Sequence, residues 1–159
     1  MALLKETAYL RIFGAFKIPM IFFVKPSVIE LTDRRAVVKV PLTFRTKNHW
    51  GSMYFGVLCT GADCAGGIMA MKLIDAQKEN KISLVFKDFK AEFLKRPMSD
   101  VHFICDEGDA IQELVKKTVA SGERENLPVH ITAICPKSSE DPVARFTLTL
   151  SLKSKAKAS

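Results

Sequence analysis

The nineteen residues Met53–Met71, MYFGVLCTGADCAGGIMAM, hold a single charge, Asp63. A helix that is apolar on every side belongs in a core or a membrane rather than on a surface. A carboxylate inside one is costly unless it is paired, hydrogen-bonded or protonated. From the residues alone Asp63 is either a functional group with a shifted pKa or an Asp held by backbone amides where the helix begins or kinks. The stretch is marginal in length for a bilayer. Gly56, Thr60, Gly61, Asp63 and Gly66 weaken it further, and clean strand patterns flank it. The expectation is a soluble core helix and no membrane span.

The chain has 159 residues, enough for one domain, here 1–159 with a lead-in over 1–26. A net charge of +7 favours anionic company such as nucleotide phosphates, nucleic acid or an acidic membrane surface. That charge is diffuse. Its densest run, Lys153–Lys157, reads as part of a flexible basic tail over 153–159. No basic stripe interleaved with aromatics appears, so nucleic acid is not expected as a partner. Cys59, Cys64, Cys105 and Cys135 have no zinc spacing, so no metal is expected. Arg11, Lys17 and Pro19 interrupt the apolar N-terminal stretch and no small-residue cleavage site follows, which makes the cytoplasm the expected location.

Within residues 3–17, Leu4, Ala8, Ile12 and Phe16 recur four apart, which predicts an amphipathic helix. It reads as a cover for the domain's own core, with an interfacial membrane helix as the alternative. Ile21–Val24, between Pro19 and Pro26, reads as a lead-in to the sheet. Ser27–Leu31 and Ala36–Phe44 flank a turn and form a hairpin by period-two alternation. The apolar helix runs from about Met53 to Gln77. Strands Ile82–Phe93 and Val101–Cys105 follow, then a helix over Asp109–Ala120 with Asp109 as cap and Gly122 as stop. Val129–Cys135 and Val143–Leu152 close the pattern around the loop Lys137–Asp141. Six strands joined by short connections favour an antiparallel sheet, an α+β domain wrapped around the central helix.

At 100° per residue Gly56, Thr60, Asp63 and Gly67 fall within about 60° of one another. The carboxylate thus lies on a stripe of small residues, where a backbone or a thin ligand can come close. Glycines that merely permit tight helix–sheet packing are the alternative. Upstream, residues 48–56 lead from a polar loop into the helix, whose free amides can polarise a carbonyl. A carboxylate can activate water on the same group. Ser52 lacks a GxSxG elbow and a telling histidine, so serine hydrolase chemistry is not expected.

Asn48, Gly51, Gly56, Ala62 and Asp63, with the later Phe93–Pro97 (FLKRP), resemble the motif of hotdog-fold acyl-CoA thioesterases. The nearest group includes the phenylacetyl-CoA thioesterases, whose motif runs Asn, a short spacer, His-Gly-Gly, then Leu-Ala-Asp. This chain departs from it, with Tyr54-Phe55-Gly56 where the family has His-Gly-Gly. The extra helix at Asp109–Ala120 is a second departure, and both resemble an uncharacterised branch.

The resemblance implies a hotdog fold and hydrolysis of an acyl-CoA or acyl carrier protein thioester. Asp63 would be general base or nucleophile, the amides near Phe55 and Gly56 would clamp the carbonyl, and Asn48 would orient substrate or water. Tyr54, His49 and Thr60 would line the substrate, with Lys90, Lys95 and Arg96 near the coenzyme A phosphates. Coenzyme A enters as part of the substrate, with no separate cofactor. The resemblance also implies a homodimer or homotetramer with the site between subunits. Two alternatives stay open: a non-catalytic acyl or acyl-CoA binding module, and a structural oligomer of the same fold.

Overall fold

A computed structural model describes residues 1–77 and 81–155. Helices α1 (Leu4–Lys17) and α2 (Pro19–Val24) precede strands β1 (Ser27–Leu31) and β2 (Ala36–Val40). The central helix α3 (Phe55–Asp75) leads to β3 (Lys81–Phe93) and β4 (Val101–Cys105), then α4 (Gly108–Ser121), β5 (Arg124–Cys135) and β6 (Ser139–Lys155). The strands form one antiparallel sheet in the order β1-β2-β4-β5-β6-β3. β1 and β3 are therefore the two edges.

Alternation along β6 sets the inner face of the sheet. Phe146, Leu148, Leu150 and Leu152 are buried, while Arg145 is exposed on the opposite side. α3 lies against β2, β3, β4, β5 and β6, with α2 and α4 also in contact with it. It is long and apolar enough to cross a membrane, yet most of it is buried in the core. The closest approach is at Gly61, where an added Cβ would sit 2.2 Å from the Phe103 ring. The tight-packing glycine is thus Gly61, one residue off the stripe singled out from the sequence. Gly67 on that stripe has nothing within 4 Å of the same test atom.

Several expectations are corrected. α1 forms where the spacing predicts, but Leu4, Ala8, Ile12 and Phe16 all point outward. The face that docks carries Thr7, Leu10 and Gly14. Polar bonds decide this: Thr7 Oγ1 accepts from Val28 N–H at 2.9 Å, and Arg11 Nε donates to the Pro26 carbonyl at 2.9 Å. Gly14 then lets α2 come close, since a Cβ there would meet the Phe22 nitrogen at 2.7 Å. Residues 19–24 are helical rather than a lead-in strand because Pro19 is pre-set for a first helical turn.

β2 stops at Val40, before Pro41, which has no N–H for the ladder, so Phe44 lies outside the sheet and is 88% exposed. Glu107, not Asp109, is the N-cap of α4, and Asp109 sits in the first turn, paired with Arg34 at 3.3 Å. Gly122 does end α4, with φ 66°. β6 takes in Ser139–Asp141 and runs on through Lys153 to Lys155 opposite Lys81, so the expected tail begins later. Residues 156–159 lie outside the described ones.

Candidate functional site

The loop between β2 and α3 is organised by its own side chains. Thr46 is buried; its hydroxyl donates to the Pro41 carbonyl at 2.7 Å and accepts from Thr43 N–H at 2.8 Å. Tyr54 N–H donates to the Thr46 carbonyl at 2.9 Å, which ties the loop to the helix start. Asn48 Oδ1 accepts from the amides of Trp50 and Ser52 at 2.9 and 3.2 Å, and Nδ2 donates to Ser52 Oγ at 3.0 Å. Asn48 thus shapes the loop around itself. The contributions of Thr46 and Ser52 were not apparent from the sequence. The only signal was the short spacing of hydroxyl and Asn residues that favours local side-chain–backbone bonds.

This loop meets the segment after β3, where Met53 N–H donates to the Pro97 carbonyl at 2.9 Å. Between them lies a groove of about 430 Å³, lined by His49, Trp50, Tyr54, Phe55, Phe93 and Arg96 among others. Arg96 lies over the Trp50 ring at 5.8 Å, and Phe55 meets Phe93 edge-on at 6.2 Å. At the groove's edge α3 begins without a side-chain cap. Val57 and Leu58 N–H both bond to the Tyr54 carbonyl, whereas the amides of Phe55 and Gly56 have no acceptor among the described residues. Two free donors at a helix N-terminus carry a partial positive charge.

Asp63 lies two turns further along α3 and is half-buried. Burial raises its pKa from the usual carboxylate range to about 6, and no compensating charge or bond is among the causes. Thr60 donates its hydroxyl to the Gly56 carbonyl at 2.9 Å, one turn back, so only its lone pairs remain for a ligand. Gly56, Thr60, Asp63 and Gly67 are all partly accessible, in contrast to the buried Leu58, Ala62, Ala65 and Met69 opposite. Phe55 and Asp63 are separated by a rise of about 12 Å at roughly 1.5 Å per residue. Within one chain, therefore, no carbonyl can touch both the free amides and the carboxylate.

The three expected cations separate. Lys95 and Arg96 border the groove, and Lys95 also pairs with Asp141 at 2.8 Å. Lys90 stands opposite Thr147 on the outer face of the sheet, away from α3, in a separate depression with Glu92, His130 and Arg145. Another cleft, about 370 Å³, lies between α1 and the C-terminal half of α3, remote from the free amides. Among the described residues no cluster of His, Cys, Asp or Glu is placed to hold a metal.

A family model described as a domain of unknown function, DUF4442, matches residues 7–152. No curated protein matches the chain. Among solved structures, a Pseudomonas aeruginosa protein described as of unknown function and a probable thioesterase superposes with TM-score 0.77 at 20% identity, covering 98% of this chain and 99% of that one. A thioesterase of Haemophilus influenzae gives 0.68 at 14% identity, over 96% and 93%. A protein of unknown function from Chlorobaculum tepidum gives 0.78 at 12% identity, over 94% of each. These likenesses establish the fold.

Proposed function

The chain belongs to the DUF4442 family and has the hotdog fold, and from that premise we propose that it hydrolyses an acyl thioester at a site completed by a second copy of itself. The carrying observation is the mismatch between chemistry and distance on α3. A half-buried carboxylate with a raised pKa and a pair of free amides are the two halves of an acyl-transfer site. They are too far apart in one chain to act on one carbonyl. The same pair contributed by two chains removes that obstacle. The edge strand β3 suits such pairing, with Val85, Phe89 and Phe93 exposed.

In this reading Asp63 removes a proton from water as the water oxygen attacks the thioester carbon. The amides of Phe55 and Gly56 from the partner copy hold the developing oxyanion. Collapse of the tetrahedral intermediate breaks the C–S bond, and the departing thiolate takes up a proton. Direct attack by Asp63, through a mixed anhydride that water then opens, uses the same groups. Arg96 and Lys95 give the groove a cationic border suited to the phosphates of coenzyme A. The setting is a soluble, cytoplasmic oligomer, dimer or tetramer.

Free-thiol release from a panel of short, long and aromatic acyl-CoAs tests this. Wild type turns over and Asp63→Asn does not. A Phe55→Pro variant removes one free amide at a position where Tyr54, at φ −65° and ψ 138°, already suits a following proline. Each variant alone is inactive, and co-refolding the two restores turnover because mixed dimers keep one intact site. No recovery on mixing would place both groups in one chain and end the two-chain reading.

One observation favours non-catalytic acyl binding instead. The Tyr54 ring lies against the first turn of α3, 2.7 Å from where a Cβ of Gly56 would be, and the exposed Phe55 ring stands beside it. Two rings beside the first turn of α3 narrow the approach of a carbonyl to the free amides. Acyl-CoA that raises the melting temperature without any thiol release supports this second reading.

A further inference from the structure

α1 and α2 present apolar side chains that nothing in the described structure covers. Leu4 is 80% and Phe16 81% exposed, and Ile12 lies between them on the same face. At the junction of the helices, Phe16, Lys17, Ile18, Pro19 and Met20 are all exposed in succession. Phe22 and Phe23 continue the surface, and Arg45 lies over the Phe23 ring at 5.6 Å. The inward faces are already packed through Leu10, Gly14, Ile21 and Val24. The outward apolar surface is therefore surplus to the fold.

The segments at the α1–α2 junction carry charge of one sign, while Glu6 and Asp75 lie at the cleft between α1 and α3. Between Glu6 and Glu30 there is no acidic residue, while Arg11, Lys17 and Lys25 fall there. Between Asp33 and Asp63 there is again none, and Arg45 and Lys47 project from that segment. Two such faces brought together would repel each other. The surface also adjoins β1, the sheet edge opposite β3. Exposed aromatic and aliphatic side chains ringed by Lys and Arg match the boundary of a bilayer with anionic headgroups.

We propose that the α1–α2 junction docks the protein on an anionic lipid surface, with Phe16, Met20 and Phe23 entering the headgroup boundary and Lys17, Lys25 and Arg45 facing the phosphates. This assignment is independent of the thioesterase reading.

Co-sedimentation of the full chain with vesicles of phosphatidylcholine, alone or mixed with phosphatidylglycerol, tests it. The protein binds the mixed vesicles, and added salt weakens the binding. The exposed pair Phe16→Asp with Met20→Asp lowers affinity roughly tenfold or more, with an unchanged melting temperature. Lys17→Glu and Arg45→Glu each lower it roughly fivefold. The proposal is overturned if wild type binds neither vesicle or both equally, or if the Phe16/Met20 variant binds like wild type. It is equally overturned if that variant changes the lipid-free mass measured by light scattering, which would make the surface a contact between copies.

Discussion

α1 and α3 are both apolar helices, and they use their apolar surface in opposite ways. α3 buries Val57, Leu58, Ala62, Ala65, Ile68 and Met69, and leaves open the narrow stripe that carries its one acid within the apolar stretch. α1 buries a threonine, a leucine and a glycine, and leaves open the side with Leu4, Ile12 and Phe16. In α3 the unusual group is polar and half-buried; in α1 the unusual groups are apolar and exposed. Each departs from what stability alone favours, and each is where the chain has surface to offer another molecule. Periodicity identifies an apolar face, and only the neighbours decide what covers it.

The sharpest way to break that contrast is at Asp63. Asp63→Asn is expected to lower kcat by about 10²–10⁴-fold, the usual range for a positioned base. In wild type kcat/KM rises with pH to a plateau, with its midpoint near the raised pKa of about 6. A pH profile flat through that region would remove the carboxylate from the chemistry.

Next in size is the buried side of α3. Gly61→Val places methyl groups where the Phe103 ring already lies. A loss of about 2–3 kcal/mol is expected in denaturant unfolding, from overpacking. A variant as stable as wild type would show that the helix can retreat from the sheet.

A smaller effect joins the two properties of Asp63. Its folded pKa lies above the unfolded value, so the fold is favoured while the group is protonated. That stability is fully present below about pH 4 and is lost as pH rises through about 6. Asp63→Asn should therefore be more stable than wild type at pH 7, by about 1–2 kcal/mol once solvent screening at a half-open site is allowed for. The two curves converge in acid. Convergence at neutral pH instead would mean that the native site already satisfies the carboxylate.

The smallest effect is expected on α1. Phe16→Ser should change stability by no more than about 0.5 kcal/mol, as for other exposed positions. A larger loss would mean that the outward face of α1 is buried in the native assembly.

Much of this architecture was legible in the chain. Period-two alternation marks β2 through β6, because an inward-outward alternation is a local property. The enclosed α3 follows from having no polar face. What was not legible depends on partners far away in sequence. The spacing of Leu4, Ile12 and Phe16 is helical whichever way the helix faces, and its orientation was set by bonds from Thr7 and Arg11 to residues 26–28. Pro19 reads equally as a break and as a helix start. At the site, Asp63 stood out as an isolated charge, and the uncapped helix start followed from the loop before it. That Lys90 faces away from α3 depends on its register against Thr147, which no local pattern encodes.

The order of strands has a consequence for how the chain folds. Among the described residues β3 hydrogen-bonds to β6 and to no other strand of the sheet. β4, α4 and β5 are all made between the two, so β3 waits unpartnered until the final strand is complete. Its pairing, like that of β2 with β4, closes a long loop, the kind of contact that slows folding. During that wait an apolar row with Leu84, Phe86 and Phe89 is exposed to other chains. Lys81, Lys87, Asp88, Lys90 and Glu92 are interspersed along the same strand. They act as gatekeepers against premature association between nascent chains.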